Sequence, residues 1–586
     1  MSDLSPSLEP PDWDHCGVGA SPATTPVGCR GIRVAGYNEC FAHLDAGDRA
    51  GFLTTLSPGA DVDVRGVTFT EALLNELVGA LRPSGSSKAH FGEGLFNEAR
   101  FTGRVHLWAT FDGQADFSDA QFLTSCEMGS VTFNGSAIFT RAVFNFASFA
   151  GTNFNALASF DFASFERVSF VGAIFDGSAR AYFRGTKFDA WNFQGVQFGS
   201  RVKFNTAQFT STHPQRLEIF GLGSVIFDRA QFAGPMTVAI SAREVSFSGA
   251  RFDGPVTMHL HYADADLSEM QLSFPTSIAS VQSLPRQPTQ LEARLAANGR
   301  RPRASLMSLS GVDASLLMLR DIDLGRCRFA GAHRLDQLTF DGDCSFGRTP
   351  RRMVWRTGFP FWWGNRQTLI EEQYWRSLET HTWALRAGWH YDNPFASDEF
   401  PSLPNPDPAG LAVLYRKLRK AFEEAKNEPG AADFYYGEME MRRHSRRWSE
   451  GERWLLQAYW LVSGYGLRTW RALSWLATSM LITVVLMMGF GLPQESPKQV
   501  ATGTVPPGGG KVTFEIDKGD PKNPTGNRFT GKRFDKALNV TLNSVVFRSS
   551  GQDLTTAGGY IEMASRFSEP ILLALAALAL RGRVKR

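Results

Sequence analysis

The chain is short of the things that usually announce a secreted protein or an enzyme. Its N-terminus, "MSDLSPSLEPPDWDHCGVGA", has no basic stretch and no apolar run, so it reads as lacking a cleaved signal peptide. Before residue 473 there is no uncharged apolar segment long enough to cross a bilayer. Everything ahead of that point is then expected in the cytoplasm. Six cysteines in 586 residues are too few for a disulfide scaffold, and in that compartment they stay reduced. Net charge is only +3, which by itself selects no partner. There is no HExxH, no nucleophile elbow and no dinucleotide fingerprint. "GNRFTGK" (Gly526–Lys532) starts like a phosphate-binding loop. Arg533 then stands where Ser or Thr must hold Mg²⁺, and no apolar strand precedes it. His15, Cys16, Cys29, Cys40 and His43 are metal-ligand types. Cys40 and His43 are three apart, but a strong signal needs two tight ligand pairs and the other gaps are wide, so no metal is assigned. No catalytic residue, cofactor site or cofactor is assigned either, and the chain is not read as an enzyme.

What is abundant is phenylalanine, 47 residues of it, mostly between Phe91 and Phe252. Phe149, Phe154, Phe160, Phe165, Phe170 and Phe175 recur every five residues, with one step of six. Ala, Thr or Val stands two before most of them. Neither a helix period of 3.6 nor a strand period of 2 yields a five. A wall that turns a corner every five residues does. It puts one large and one small residue of each quintet inside, and leaves three in water. "ADFSD" (Ala115), "AQFLT" (Ala120), "AVFNF" (Ala142), "TNFNA" (Thr152), "AIFDG" (Ala173) and "TKFDA" (Thr186) fit this pattern. Steps of six at Phe111–Phe117, Phe133–Phe139 and Phe154–Phe160 predict an extra residue at a corner. No coil can bury its Phe row alone, so coils must stack. Asp112, Asp116, Asp119 and Asp161 fall at solvent positions.

The quintets resemble the pentapeptide-repeat family, strongly from Phe91 to Phe252 and weakly through "ADLSEMQL" (Ala265–Leu272) and "IDLGRCRF" (Ile322–Phe329). The family often prefers Leu where this chain has Phe. The resemblance implies a mainly β fold, a right-handed quadrilateral β-helix with about 20 residues per coil. At about 4.8 Å between strands the regular part makes a rod on the order of 40–50 Å. An α-helical cytoplasmic segment and C-terminal transmembrane helices follow it. An open coil end exposes a sheet edge, so a cap is needed. "TFTEALLNELVGALR" (Thr68–Arg82) fits, with Thr70 as N-cap and Leu73, Leu74, Leu77, Val78 and Leu81 at helical spacing. "SLPRQPTQLEARLAANGRRPRAS" (Ser283–Ser305) breaks the period and should loop out or pack on one side.

"LSWLATSMLITVVLMMGFGL" (Leu473–Leu492) is 20 residues without a charge, one bilayer crossing. Arg442, Arg443, Arg446, Arg447, Arg453, Arg468 and Arg471 precede it, which puts that side in the cytoplasm. Arg442, Arg443, Arg446 and Arg447 form a basic cluster expected to face anionic lipid. "FSEPILLALAALAL" (Phe567–Leu580) is too short to span unless it extends back to Gly559. The extension brings in Glu562, Arg566 and Glu569 on one helical face. The other reading is an interfacial helix capped by Ser568. The tail "RGRVKR" favours a cytoplasmic end and hence a hairpin. "ALNVTLNSVVF" (Ala537–Phe547) is a short helix or strand, and "TTAGGY" (Thr555–Tyr560) invites comparison with a potassium-channel filter. The Gly–Tyr–Gly order is missing, so a carbonyl ring does not carry over. "LAVLYRKLRKAFEEAKNEPGAADFYYGEMEMRRHSRRW" (Leu411–Trp448) reads as two helices broken at Asn427–Gly430. Together with "YWLVSGYGLR" it is similar to stretches of bacterial membrane proteins that carry N-terminal pentapeptide repeats.

The expected domains are 1–66, an irregular N-terminal region; 67–88, a capping helix; and 89–350, the β-helix, interrupted near 276–310. A helical juxtamembrane region at 351–470 and a membrane domain at 471–586 follow. The membrane domain divides into a span at 473–492, an extracytoplasmic loop at 493–558 and a second span at 559–580. The functional reading is a multi-pass protein of the bacterial inner membrane whose cytoplasmic β-helix is a scaffold for an unknown protein partner. Membrane lipids and further copies of itself are the other partners. The alternative is a channel-like or pore-forming effector with a β-helix sensor or assembly domain. A DNA-mimic that shields topoisomerase is remote. Arg141, Arg167, Arg180, Arg184, Lys187, Arg201 and Lys203 interleave with the acids, so no nucleic-acid role is expected.

Overall fold

The computed structural model describes residues 9–21, 25–177, 179–297, 301–350, 353–356, 359–362, 365–378, 389, 407–494, 498–503, 507–512, 514–546 and 551–584. Residues 379–388 and 390–406 of the expected juxtamembrane region lie outside them, as do Lys585 and Arg586 of the basic tail. The chain divides into two units. One is Met1–Pro406 with Lys417–Lys426, the other Asp407–Arg416 with Asn427–Arg586.

The first unit is a parallel β-solenoid. Its strands form three sheets of 11, 12 and 11 strands, and consecutive coils pair in parallel throughout. At about 4.8 Å per strand, twelve turns make a stack roughly 50 Å long. Ala115, Ala137, Ala158, Ala181, Val202, Val225, Val245 and Ala265 pair in sequence down one sheet. Their numbers differ by 20 to 23, the length of a coil.

Phenylalanine fills the interior in four stacked ladders. One runs Phe69, Phe101, Phe122, Phe144, Phe165, Phe188, Phe209, Phe232, Phe252, with ring centroids 4.5–5.6 Å apart. The six phenylalanines of the five-residue run therefore do not stack on one another in order. Phe165 belongs to this ladder and Phe160 to a second. Phe154 and Phe175 share a third, and Phe149 and Phe170 a fourth. All six are buried. Small residues fill the space beside the rings. Where that residue is Thr, its hydroxyl finds a carbonyl of the previous coil: Thr152 donates to Met128 O at 2.7 Å and Thr186 to Phe160 O at 2.7 Å. The six-residue steps lie at one corner, between the strands ending at Phe111, Phe133 and Phe154 and those starting at Ala115, Ala137 and Ala158. Gly135 sits there because a Cβ would stand 2.1 Å from Gly113 O.

Helix α1 (Ala46–Thr55) lies in the N-terminal region. Helix α2 (Glu71–Ala80) starts at Thr70, whose side chain accepts from Leu73 N, and buries Leu74, Leu77 and Val78. It is inserted within the first coil, because Val62–Asp63 and Thr68–Phe69 already pair with the next one. Beyond that coil Phe41, fully buried, lies against Phe69 at 6.2 Å. Helix α3 (Thr289–Ala296) is the interruption, and it packs on the solenoid's side through Leu291 and Leu295 against Phe220, Ala239 and Tyr262. Helix α4 (Ile370–Leu378) serves the far end. The buried Glu371 carboxylate accepts from Phe329 N at 2.6 Å and Ala330 N at 2.9 Å.

Helix α5 (Pro408–Glu424) has residues in both units. The second unit continues with α6 (Glu428–Ser445), α7 (Gly451–Ser463) and α8 (Thr469–Leu486), which ends in a π-helical turn, Met487–Gly491. Asn427 caps α6 by accepting from Gly430 N, at the expected break. A strand pair, Gln499–Gly503 with Phe514–Lys518, precedes α9 (Gly531–Val545) and α10 (Thr556–Val584). Thr469–Gly491 and Thr556–Leu580 are long and apolar enough to cross a membrane.

Candidate functional site

The solenoid exterior is polar and laced with ion pairs. Arg141 grips Asp119 through two bonds of 2.7 Å. Asp161, expected in solvent, is only 4% exposed. The Arg184 side chain and backbone N–H both donate to it, at 2.9 and 2.8 Å, and close it off from water. The next residue, Phe162, is 62% exposed and sits at a left-handed corner with φ 60°. The ring is held outside the core on a left-handed backbone, over Gly185 of the next coil, where a Cβ would stand 2.7 Å from it.

Under α3 lies a buried polar row on the outer face of one sheet. Ser241 and His261, paired on adjacent strands, share a 3.0 Å contact between Oγ and Nδ1. Gln287 donates to Ser241 at 3.2 Å. Glu218, one strand earlier, is fully buried and faces Arg216 and Arg286 at 3.4 and 3.8 Å. Burial holds the His261 imidazole below the usual histidine range, against opposing help from Gln282, Glu292 and Gln287. A lowered folded-state pKa means the neutral ring is what fits. Stability is complete above the unfolded value of about 6.5 and is lost as pH falls through it. Protection of residues 284–296 from hydrogen exchange should therefore drop between about pH 8 and about pH 5. In His261→Gln the drop should vanish. A drop of equal size in the variant would assign it to another group.

In the second unit the stretch "NEPGAADFYYGEMEMRR…YWLVSGYGLR" folds into one polar knot. Arg443 is 9% exposed. It donates to Glu440 at 2.8 Å and Gln457 at 2.5 Å and lies 4.8 Å over the Trp460 ring. Tyr465 donates to the other oxygen of Glu440 at 3.2 Å. Burial pushes the Tyr465 hydroxyl far up, while the Glu440 carboxylate holds the Arg443 guanidinium up against burial. Gly437 is glycine because a Cβ would meet the Tyr415 ring at 2.4 Å. Gly464 ends α7 in the left-handed region at φ 56°. The basic cluster is thus divided. Arg443 is tied inside the protein, Arg442 and Arg446 pair with Glu452, and Arg447 is exposed.

The two apolar helices pack closely. Gly558 of α10 meets the end of α8, where a Cβ would stand 2.3 Å from Gly491 O. Thr555 caps α10 by accepting from Gly558 N, and donates to Phe490 O at 2.6 Å. Ser568 is therefore mid-helix, not a cap, and "TTAGGY" is the first turn of α10. Glu562 and Arg566 pair at 2.9 Å. Glu569 leaves that pair alone. It is fully buried and accepts from Thr483 of α8 at 2.9 Å. Ser565 donates to Ser544 of α9 at 2.9 Å. Arg533, the residue that breaks the phosphate-loop pattern, donates to Met488 O, Leu492 O and Pro493 O at 2.8–2.9 Å. It closes the C-terminal end of the α8 span.

Of the cysteines, Cys126 and Cys327 are buried and burial pushes their thiols up. Cys16, Cys29, Cys40 and His43 come together; His15 is not in the group. The sequence names these side chains as ligand types, but the wide gaps between 16, 29 and 40 carry no spacing signature that would assign a metal. Compared with protein-family models and with curated proteins, the chain matches none of them.

Proposed function

We propose that the chain is a membrane-anchored scaffold of the pentapeptide-repeat type, in a bacterial inner membrane, with a right-handed four-sided solenoid in the cytoplasm. The observation that carries this reading is the union of two parts in one chain. About twelve turns bury their rings and leave a long periodic exterior. Two apolar helices of membrane length accompany them. A solenoid presents an extended surface for a partner rather than a pocket for a substrate. The arginines ahead of the first span support a cytoplasmic side. Phe162 and the 43% exposed Trp108 are the apolar points where a protein partner would seat.

Two measurements test it. A reporter active only in the cytoplasm should work before Met1 and after Arg586, and one active only outside should work near Gly509. Photo-cross-linkers placed at Phe162 and Trp108 in intact cells should trap one and the same protein, and Phe162→Asp should abolish the adduct formed from Trp108. An outside-only signal before Met1, or no adduct from either position, would overturn the scaffold.

A channel-like effector is the second reading. It is favoured by the polar row of Thr483, Glu569, Ser565 and Ser544 that links α8, α9 and α10. The helical state of residues 556–560 weighs against a carbonyl filter there. Ion flux in liposomes that Glu569→Gln alters would favour it over the scaffold.

A further inference from the structure

We infer that Cys16, Cys29, Cys40 and His43 form a tetrahedral Zn²⁺ site that clamps the N-terminal cap of the solenoid. Short backbone contacts assemble it. Gly17 N donates to Cys29 O and Cys29 N to Val18 O, both at 2.9 Å, so a hairpin sets Cys16 beside Cys29. Arg33 bridges to Cys40 on an antiparallel partner segment. His43 N donates to Cys40 O at 2.9 Å, a tight turn that lays the imidazole over the Cys40 thiol. Two glycines make the room. A Cβ on Gly28 would stand 2.5 Å from Gly17 O, and one on Gly31 would stand 2.8 Å from Cys40 Sγ.

The ligand atoms are spaced as a zinc ion requires. Cys29 Sγ lies 3.7 Å from Cys40 Sγ. His43 Nδ1 lies 3.5 Å from Cys16 Sγ and 3.3 Å from Cys40 Sγ. All four atoms fall within 4.8 Å of one another. Tetrahedral bonds of about 2.3 Å to sulfur and about 2.0 Å to nitrogen set S···S at about 3.8 Å and S···N at about 3.5 Å. Gly31 N lies 3.4 Å from Cys29 Sγ and donates to it, the outer contact that steadies a metal-bound thiolate. Three soft sulfurs and one imidazole suit Zn²⁺ and not Mg²⁺ or Ca²⁺. A Cys29–Cys40 disulfide would use two of the four groups and leave His43 unexplained. Among the described residues no fifth ligand joins the group, as befits a structural site. The clamp has something to hold. Phe41, between Cys40 and His43, covers Phe69 at the start of a ladder.

The full-length protein, purified from membranes in detergent without chelator and without oxygen, should carry about one zinc per chain. Chelation should expose residues 14–43 to protease, and added Zn²⁺ should restore protection. Co²⁺ added to the chelated protein should give the ligand-field and thiolate charge-transfer bands of a tetrahedral site. His43→Cys should keep one equivalent of metal and shift the cobalt bands toward those of four thiolates. Cys344→Ser should leave everything unchanged. Cys40→Ser should lose the metal; since the same change removes a buried residue of the cap, the cobalt spectrum of the unaltered chain decides. Zinc well below one equivalent with no tetrahedral cobalt spectrum would overturn the site. So would a Cys29–Cys40 disulfide in the anaerobic protein, or an unshifted spectrum in His43→Cys.

Discussion

Phe165→Ala is expected to cost about 3–5 kcal/mol of local stability, and Ser164→Ala, one residue away, less than about 0.5 kcal/mol. Phe165 is 1% exposed and sits between Phe144 at 4.8 Å and Phe188 at 5.6 Å. Its truncation removes a ring from the middle of a stack and leaves a cavity whose walls are held by the strands on either side. They cannot close in, because each is in register with its neighbour over residues 164–169. Ser164 shares the strand but points the other way. In a solenoid each coil touches only its neighbours, so the damage stays local. Hydrogen exchange should show lost protection across 143–192 and little change beyond 230. Equal losses in the two variants would mean that the inside and outside positions are misassigned.

Arg443→Met should destabilise the second unit by about 3–5 kcal/mol, because it removes the guanidinium that pairs with the buried Glu440 carboxylate at 2.8 Å. Glu440 is 1% exposed, and Tyr465 also donates to it, at 3.2 Å. Glu440→Leu alone strands the guanidinium in the same way. The double variant Glu440→Leu with Arg443→Met removes both charges and should recover most of the loss, since a buried pair and an apolar pair of like volume are close in energy. Thermal unfolding of the detergent-solubilised chain, read as a double-mutant cycle, measures the coupling. Additive losses would show that the pair acts through separate partners. A surface arginine lying on lipid headgroups would behave otherwise: its replacement would change vesicle binding and leave unfolding nearly untouched.

How much of this was legible beforehand follows from how far each feature reaches along the chain. The five-residue period by itself required a stacked, cornered wall, because only one backbone path repeats the same environment every five residues. Thr70 and the leucines after it marked α2, the break at Asn427–Gly430 marked the start of α6, and the uncharged run at 473–492 marked an apolar helix. Each of these is written in neighbours a few residues apart, where local geometry decides the outcome.

What the tertiary structure alone decided involves residues brought together from afar. The distribution of the six repeat phenylalanines over four ladders depends on how each coil lies over the next. Asp161 left the solvent because Arg184 arrives from the next coil. Arg443 turned inward because Trp460 and Tyr465 return from α7 and the turn after it. The start of α10 moved to Thr556 because Thr555 found the end of α8, 64 residues away at Gly491. The four metal-ligand side chains at 16, 29, 40 and 43 met because two turns, with glycine where no Cβ fits, folded them onto one point. Periodicity is a local property and survives in the sequence; convergence depends on the path of the backbone between the partners, and only the folded chain contains it.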